Sequence, residues 1–249
     1  MALLEEFEKQ GNWLFRYRGV LPLIILAVGA FIYIRAELNP SPSSFMEVNS
    51  YKSIYEISCL LVSLFGLAIR VYTIGHTPSK TSGRNIKEQV AESLNTTGIY
   101  SVVRHPLYLG NFFMWLGPAM LTANFWFIVS FCLAYWIYYE RIMFAEEQFL
   151  RRKFGEAYTE WASRVPAFIP CFKHFKKPCH SFCTRKVVAK KKNGLLAVFL
   201  IFCSFNVVGE LVHKGKHHFN MIFIGMCILS IVLYIVVKIF RKKINLVKQ

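Results

Sequence analysis

The sequence contains no aspartate. All 14 of its acidic residues are Glu, against 30 Lys and Arg, which gives a formal charge of +16. Charge is scarce overall, at 18% of residues, where soluble domains carry about 25%. The absence of Asp excludes chemistry that needs an Asp nucleophile or the Asp metal ligands of kinase motifs. With 55% hydrophobic residues and a mean hydropathy of +0.38, the chain is too apolar to be disordered. The same apolar content excludes a soluble nucleic-acid binder, to which +16 would otherwise point. What remains is a membrane protein with basic loops.

A membrane-crossing helix needs about 20 mostly apolar residues. Six stretches qualify or nearly do: residues 19–34, 55–74, 106–121, 125–139, 195–212 and 219–240. The first carries none of the marks of a cleaved signal peptide, since Glu5, Glu6 and Glu8 precede it and no small-x-small site follows. The expectation is an all-α, polytopic membrane protein of about six transmembrane helices. Alternate loops and span ends hold 25 Lys and Arg on one side and 4 on the other, with Arg70 inside a span. The positive-inside rule then places both termini in the cytoplasm. Residues 3–17 carry periodic apolar side chains broken by Gly11, and read equally well as a helix lying in the interface or as a lead-in to the first span.

The chain divides into an N-terminal segment with the first span (1–54), a core (55–172), a basic linker (173–193) and a C-terminal helix pair (194–249). The linker carries Cys171, His174, Cys179 and Cys183 in or near it, at spacings that match no standard zinc pattern, so no metal is expected. A cytosolic placement argues against disulfides there. His213, His217 and His218 fall in a short Lys-containing loop and read as solvated. The linker's charge attracts anionic headgroups without specifying one.

Chemistry concentrates in two places. Residues 94–110 contain a turn glycine, Gly98, and then Arg104-His105-Pro106-Leu107-Tyr108-Leu109-Gly110. Pro106 suits the first turn of a helix. Arg104 and His105 then stand at the membrane mouth, beside unpaired helix N–H groups that favour an anion. The second place is Glu146-Glu147, on a helix continuing the fourth span, followed by Leu150, Phe154, Gly155, Tyr158, Trp161 and Val165-Pro166. Adjacent carboxylates point about 100° apart on a helix, which favours one of them for a shared site. A hairpin of the third and fourth spans brings Arg104 and His105 near Glu146. Ionisable groups at that depth are costly and functional by default, although an ion pair that merely locks the hairpin is an open alternative.

The ordered set Gly98, Tyr100, Arg104-His105-Pro106-x-Tyr108-x-Gly110 and Glu146-Glu147-x-x-Leu150, with the tail to Val165-Pro166 and Pro170, resembles the isoprenylcysteine carboxyl methyltransferase family over residues 66–172. The resemblance implies S-adenosylmethionine as methyl donor, bound on the cytosolic side. By motif position it assigns cofactor contacts to Glu92, Leu94, Asn95, Tyr100, His105, Pro106, Leu107, Tyr108 and Glu146. Arg104, His105 and Glu146 are the expected catalytic set. Arg104, Arg141 and Arg70 are candidates for neutralising an anionic acceptor, either a prenylcysteine carboxylate or an anionic lipid headgroup such as a lipid phosphate. The expected partners are thus the bilayer and a lipid or lipidated acceptor, with no nucleic acid. One departure stands out: where similar eukaryotic members carry an Arg one turn before the Glu pair, this chain has Ile142, with Arg141 beside it. The competing readings are an NADPH-dependent reductase of sterols or other lipids, and a non-catalytic transporter or scaffold.

Overall fold

A computed structural model describes residues 2–39, 49–78, 91–212 and 219–246. These contain eight α-helices and no strand: α1 (Leu3–Arg16), α2 (Val20–Leu38), α3 (Asn49–Gly75), α4 (Pro106–Leu121), α5 (Phe125–Phe154), α6 (Glu156–Arg164), α7 (Thr184–Val212) and α8 (Met221–Leu246). The all-α, multi-pass architecture follows from the long apolar stretches, because only a helix satisfies every backbone group within one lipid-embedded segment.

Five helices among the described residues are long and apolar enough to cross a membrane, not six. The short one is α4. Its 16 residues rise about 24 Å at 1.5 Å each, less than the roughly 30 Å hydrocarbon core. It begins at Pro106 because the chain must first pass through the irregular segment that carries Arg104 and His105. α5 is longer than sequence periodicity requires for a span: it runs unbroken for 30 residues and carries Glu146 and Glu147 past the apolar stretch. α7 also starts early, at Thr184, so the basic run 185–192 is helical and not linker. Lys, Arg, Ala and Val continue a helix there, with no proline to stop it.

α3 and α4 form the closest helix pair. A Cβ on Gly66 would stand 2.4 Å from the Gly110 carbonyl oxygen and 2.5 Å from the Met114 nitrogen. One on Gly117 would stand 2.1 Å from Ser63 Oγ. Glycines let these backbones touch, as small residues do between membrane helices. α4 and α5 share an aromatic cluster that includes Tyr108, Phe131, Tyr135 and Tyr139. α7 and α8 join α2 and α3 around Tyr33, Phe202, Phe205 and Phe223. At that end Lys52 pairs with Glu37 at 2.9 Å and approaches Glu210 at 3.7 Å, tying three helices together.

The two readings of residues 3–17 resolve into a docked helix. Phe7 meets Phe144 edge-on, Phe15 is buried, and the backbone of α1 at Gly11 lies against Arg141 and Ala145 of α5. Leu3, Leu4 and Trp13 remain exposed on its other side. The loop holding His213, His217 and His218 lies outside the described residues.

Candidate active site

The segment before α4 is held from both sides. Gly98 opens a 3-10 turn (Gly98–Ser101) with φ +62°, a left-handed conformation that glycine adopts without strain. The Trp161 indole donates to the Tyr100 carbonyl at 3.1 Å. The Arg104 and His105 amides donate to the carbonyls of Pro166 and Ala167, at 2.9 and 3.1 Å. The motif tail therefore has a use: Tyr158, Trp161 and Val165 form a buried wedge against Leu94, Tyr100 and Leu150. Pro106 occupies the first turn of α4, with buried His105 as its N-cap residue and half-buried Leu107 following.

His105 reaches α5 between its two carboxylates. Its Nε2 donates to Glu147 Oε1 at 2.9 Å, while Nδ1 faces Glu146 Oε2 at 3.7 Å. The Tyr108 hydroxyl donates to Glu146 Oε1 at 2.7 Å, and its ring stacks on His105. Tyr135 donates to the Tyr108 carbonyl at 2.7 Å, which fixes the first turn of α4 against α5. Helix geometry favours one of the adjacent carboxylates, yet His105 approaches both. His105 points at the seam between them, and the flexible Glu side chains close the angular gap from either side.

Glu147 is thus the residue that sequence reasoning missed. It also draws Arg104, whose Nε lies 3.3 Å away. That Nε is buried yet out of line for a hydrogen bond, so a donor of the guanidinium is unmet. Burial would lower the His105 pKa, but Glu146 and Glu147, by hydrogen bonding and charge, hold it above its ordinary 6.5. Burial first, and then the charge of Glu146, push the Tyr100 phenol upward, so it stays a neutral hydroxyl.

The raised His105 pKa gives a pH prediction. Protonated imidazole stabilises the fold fully below about 6.5, and the contribution is lost as pH rises through the folded-state value. Melting temperature should therefore fall more steeply with rising pH above 6.5 in the native protein than in His105→Gln. Parallel pH curves would show that the imidazole carries no charge there.

Leu94, Asn95 and Tyr100 line a cavity of about 180 Å³, with His76, Cys179 and His180 opposite. Among the described residues, apart from the histidines, no ionisable acid or base with a charge at neutral pH lines it. Glu92 is exposed and is not among the lining residues. Arg70 crosses the first turns of α4, its Cγ 2.5 Å from where a Gly110 Cβ would lie, and its charge acts on the phenols of Tyr135, Tyr139 and Tyr108. Arg18, from the turn between α1 and α2, lies over the Phe15 ring at 4.0 Å and acts on Tyr108 and Tyr139. No motif marked Arg18. Arg141 is not brought to this cluster. Its guanidinium lies 3.4 Å over the Phe7 ring, on the face of α5 turned to α1. Ile142 points inward instead, fully buried among the aromatics.

Fold and site together define a polytopic helical membrane protein with an ionisable cluster at the start of a short membrane helix. The profile of the phospholipid methyltransferase family matches residues 51–157. The chain is 33% identical over 130 residues to a protein-S-isoprenylcysteine O-methyltransferase of Schizosaccharomyces pombe, covering 49% of this chain and 52% of that one. It is 31% identical over 126 residues to the Homo sapiens protein of that name (48% and 43%). It is 33% identical over 163 residues to the nickel-cobalt-cadmium resistance protein NccN of Alcaligenes xylosoxydans xylosoxydans (65% and 72%). Over the matched region the chain is similar to the isoprenylcysteine carboxyl methyltransferases. It spans about half the length of the first isoprenylcysteine methyltransferases it matches. No solved structure matches it significantly.

Proposed function

We propose that this protein is an integral-membrane methyltransferase that moves a methyl group from S-adenosylmethionine to an oxyanion carried by a membrane-embedded lipid or lipidated acceptor. The observation that carries this reading is His105 held between Glu146 and Glu147 at the N-terminus of α4, with a polar cavity lined by residues 93–100 of the segment that leads into that helix.

The residues fit the donor's chemistry. Glu146 offers a carboxylate to a cationic sulfonium. Arg104, with its buried, unmet Nε donor, and the unpaired N–H groups at the start of α4 suit an anionic tail. The neutral cavity lined by Leu94, Asn95 and Tyr100 suits a nucleoside. The donor, when bound, supplies an already activated methyl group. The protein then has little acid–base work to do. It aligns the two partners and keeps water out, and alignment alone is worth up to about 7–11 kcal/mol.

Arg70 is the proposed acceptor ligand. An arginine within a membrane-crossing helix, packed against the first turns of α4, is costly unless an anion uses it. Arg18 adds a second guanidinium near Tyr108, where Ile142 leaves α5 without one. In this reading the short α4 also crosses, where the bilayer thins around it, so six crossings leave both termini on the cytosolic face, the side of 25 Lys and Arg. The donor enters from water and the acceptor sideways from lipid.

Thermal unfolding of the detergent-solubilised protein tests the donor. S-adenosylhomocysteine should raise the melting temperature, by about 2.7 kcal/mol of stabilisation at a hundredfold excess over Kd. NADPH should leave it unchanged. Stabilisation by NADPH alone would instead favour the reductase reading. Labelled donor incubated with total membrane extract would then name the acceptor.

A further inference from the structure

The cavity has a wall that the matched family region does not provide. Residues 171–183 lie beyond the match at 51–157, yet they run along the segment that leads into α4. The Cys171 amide donates to the Val102 carbonyl at 3.0 Å. The Gly98 amide donates to the Lys176 carbonyl, and the Lys176 amide to Ser101 Oγ, both at 2.9 Å. The Cys179 amide donates to Thr97 Oγ1 at 3.2 Å. His76 Nδ1 donates to the His180 carbonyl at 2.8 Å, and the Cys183 amide to the Gly75 carbonyl at 3.0 Å. Phe182 packs into the space left by the missing side chain of Gly75, edge-on to His76. A Cβ on Gly98 would touch Pro178. Six hydrogen bonds over thirteen residues make this a strap fixed along its length, and no single contact places it.

Where the strap passes the cavity it contributes Cys179 and His180 to the lining. The opposite side is Leu94, Asn95 and Tyr100. A single water needs about 10–15 Å³ of such space, so about 180 Å³ admits a group far larger than water. Among the described residues the lining carries hydroxyls, an amide, imidazoles and a phenol, and no carboxylate, Lys or Arg. That set hydrogen-bonds and stacks on neutral heteroaromatic and ribose groups, and offers an anion no fixed positive charge.

We propose that residues 178–182 form the outer wall of the donor's nucleoside subsite, so that a strap outside the matched region 51–157 sets how tightly the donor is held. This rests on the methyl-donor reading above. Tyr100, which lines the same cavity, belongs to the turn that leads into Arg104 and His105. Cys179, exposed at the rim, reports on occupancy.

The test uses the full-length protein in detergent with S-adenosylhomocysteine as probe. Maleimide labelling is read by mass spectrometry at Cys179 and at Cys183, an exposed cysteine of the same strap that does not line the cavity. The ligand should protect Cys179 and leave Cys183 reactive. Cys179→Trp should weaken binding about tenfold or more, while Cys183→Trp binds like the native protein. If the ligand binds but protects neither cysteine, the wall assignment falls and the donor reading stands. If Cys179→Trp binds as tightly as the native protein, the assignment falls as well. Failure of the native protein to bind the ligand at all overturns the donor reading and the wall with it. The protection experiment needs no variant, so misfolding of Cys179→Trp does not remove the test.

Discussion

Replacing Glu146 by Gln, or His105 by Ala, should lower kcat/KM for methyl transfer by about 10²–10³-fold, the scale of losing one preorganised electrostatic partner in a water-poor site. The two carboxylates, His105 and Tyr108 form one connected set. Their losses therefore should not multiply, and the double variant should be little worse than either single one. The fold should survive. α4 and α5 stay joined by the Tyr135–Tyr108 hydrogen bond and by the stacked rings of Phe112 and Phe131, neither of which uses the altered groups. Glu147→Gln belongs to the same series, because Glu147 holds the imidazole at 2.9 Å and stands beside Arg104. Full activity in both Glu146→Gln and His105→Ala, with unchanged melting, would reduce the cluster to a structural ion pair.

The second large effect is expected at a residue with no side chain of its own. Gly66→Ala adds a single methyl, but that methyl would stand 2.4 Å from the Gly110 carbonyl oxygen and 2.5 Å from the Met114 nitrogen. Both are backbone atoms of α4, so no side chain can rotate away, and the helices must separate. Overpacking of this kind costs about 1–3 kcal/mol in well-packed cores. The functional loss should exceed the stability loss. Arg70 lies one turn on from Gly66, and its position against Tyr108 depends on the same contact. Separation of about 1 Å is enough to cost about a hundredfold in rate. Gly225→Ala on α8, where nothing lies within 4 Å, is the control and should retain activity. Native activity in Gly66→Ala would show that the α3–α4 approach does not position the site.

The site was legible in part. Glu146 and the Arg104-His105 pair are visible because ionisable residues next to apolar stretches stand out, and the resemblance fixes their order. Glu147 was discounted on helix geometry, since 100° separates adjacent side chains. That argument treats a side chain as a direction, whereas a Glu side chain bends, and His105 approaches between the two. Nearness to position 142 makes Arg141 a candidate beside Arg70, but adjacent helix positions point about 100° apart, and Arg141 faces α1, where it lies over the Phe7 ring. Arg18 had no sequence signal, because its nearness to Tyr108 depends on α1 folding back against α5. The cavity wall at Cys179 and His180 likewise joins residues more than 80 positions from Asn95 and Thr97.

The sequence alone determined the class of solvent and the class of fold. Long apolar runs separated by basic loops leave a chain no choice but helices in a membrane, because that choice is made by local burial of backbone polar groups. It also determined which titratable groups were available, and the lack of any Asp made Glu the sole source of carboxylate. Only the tertiary structure decided which of these groups meet, why α4 is short, and which strap closes the cavity. Those outcomes depend on contacts between distant segments, at distances where one missing Cβ or one bent side chain changes the neighbour, and helical periodicity carries no information at that range.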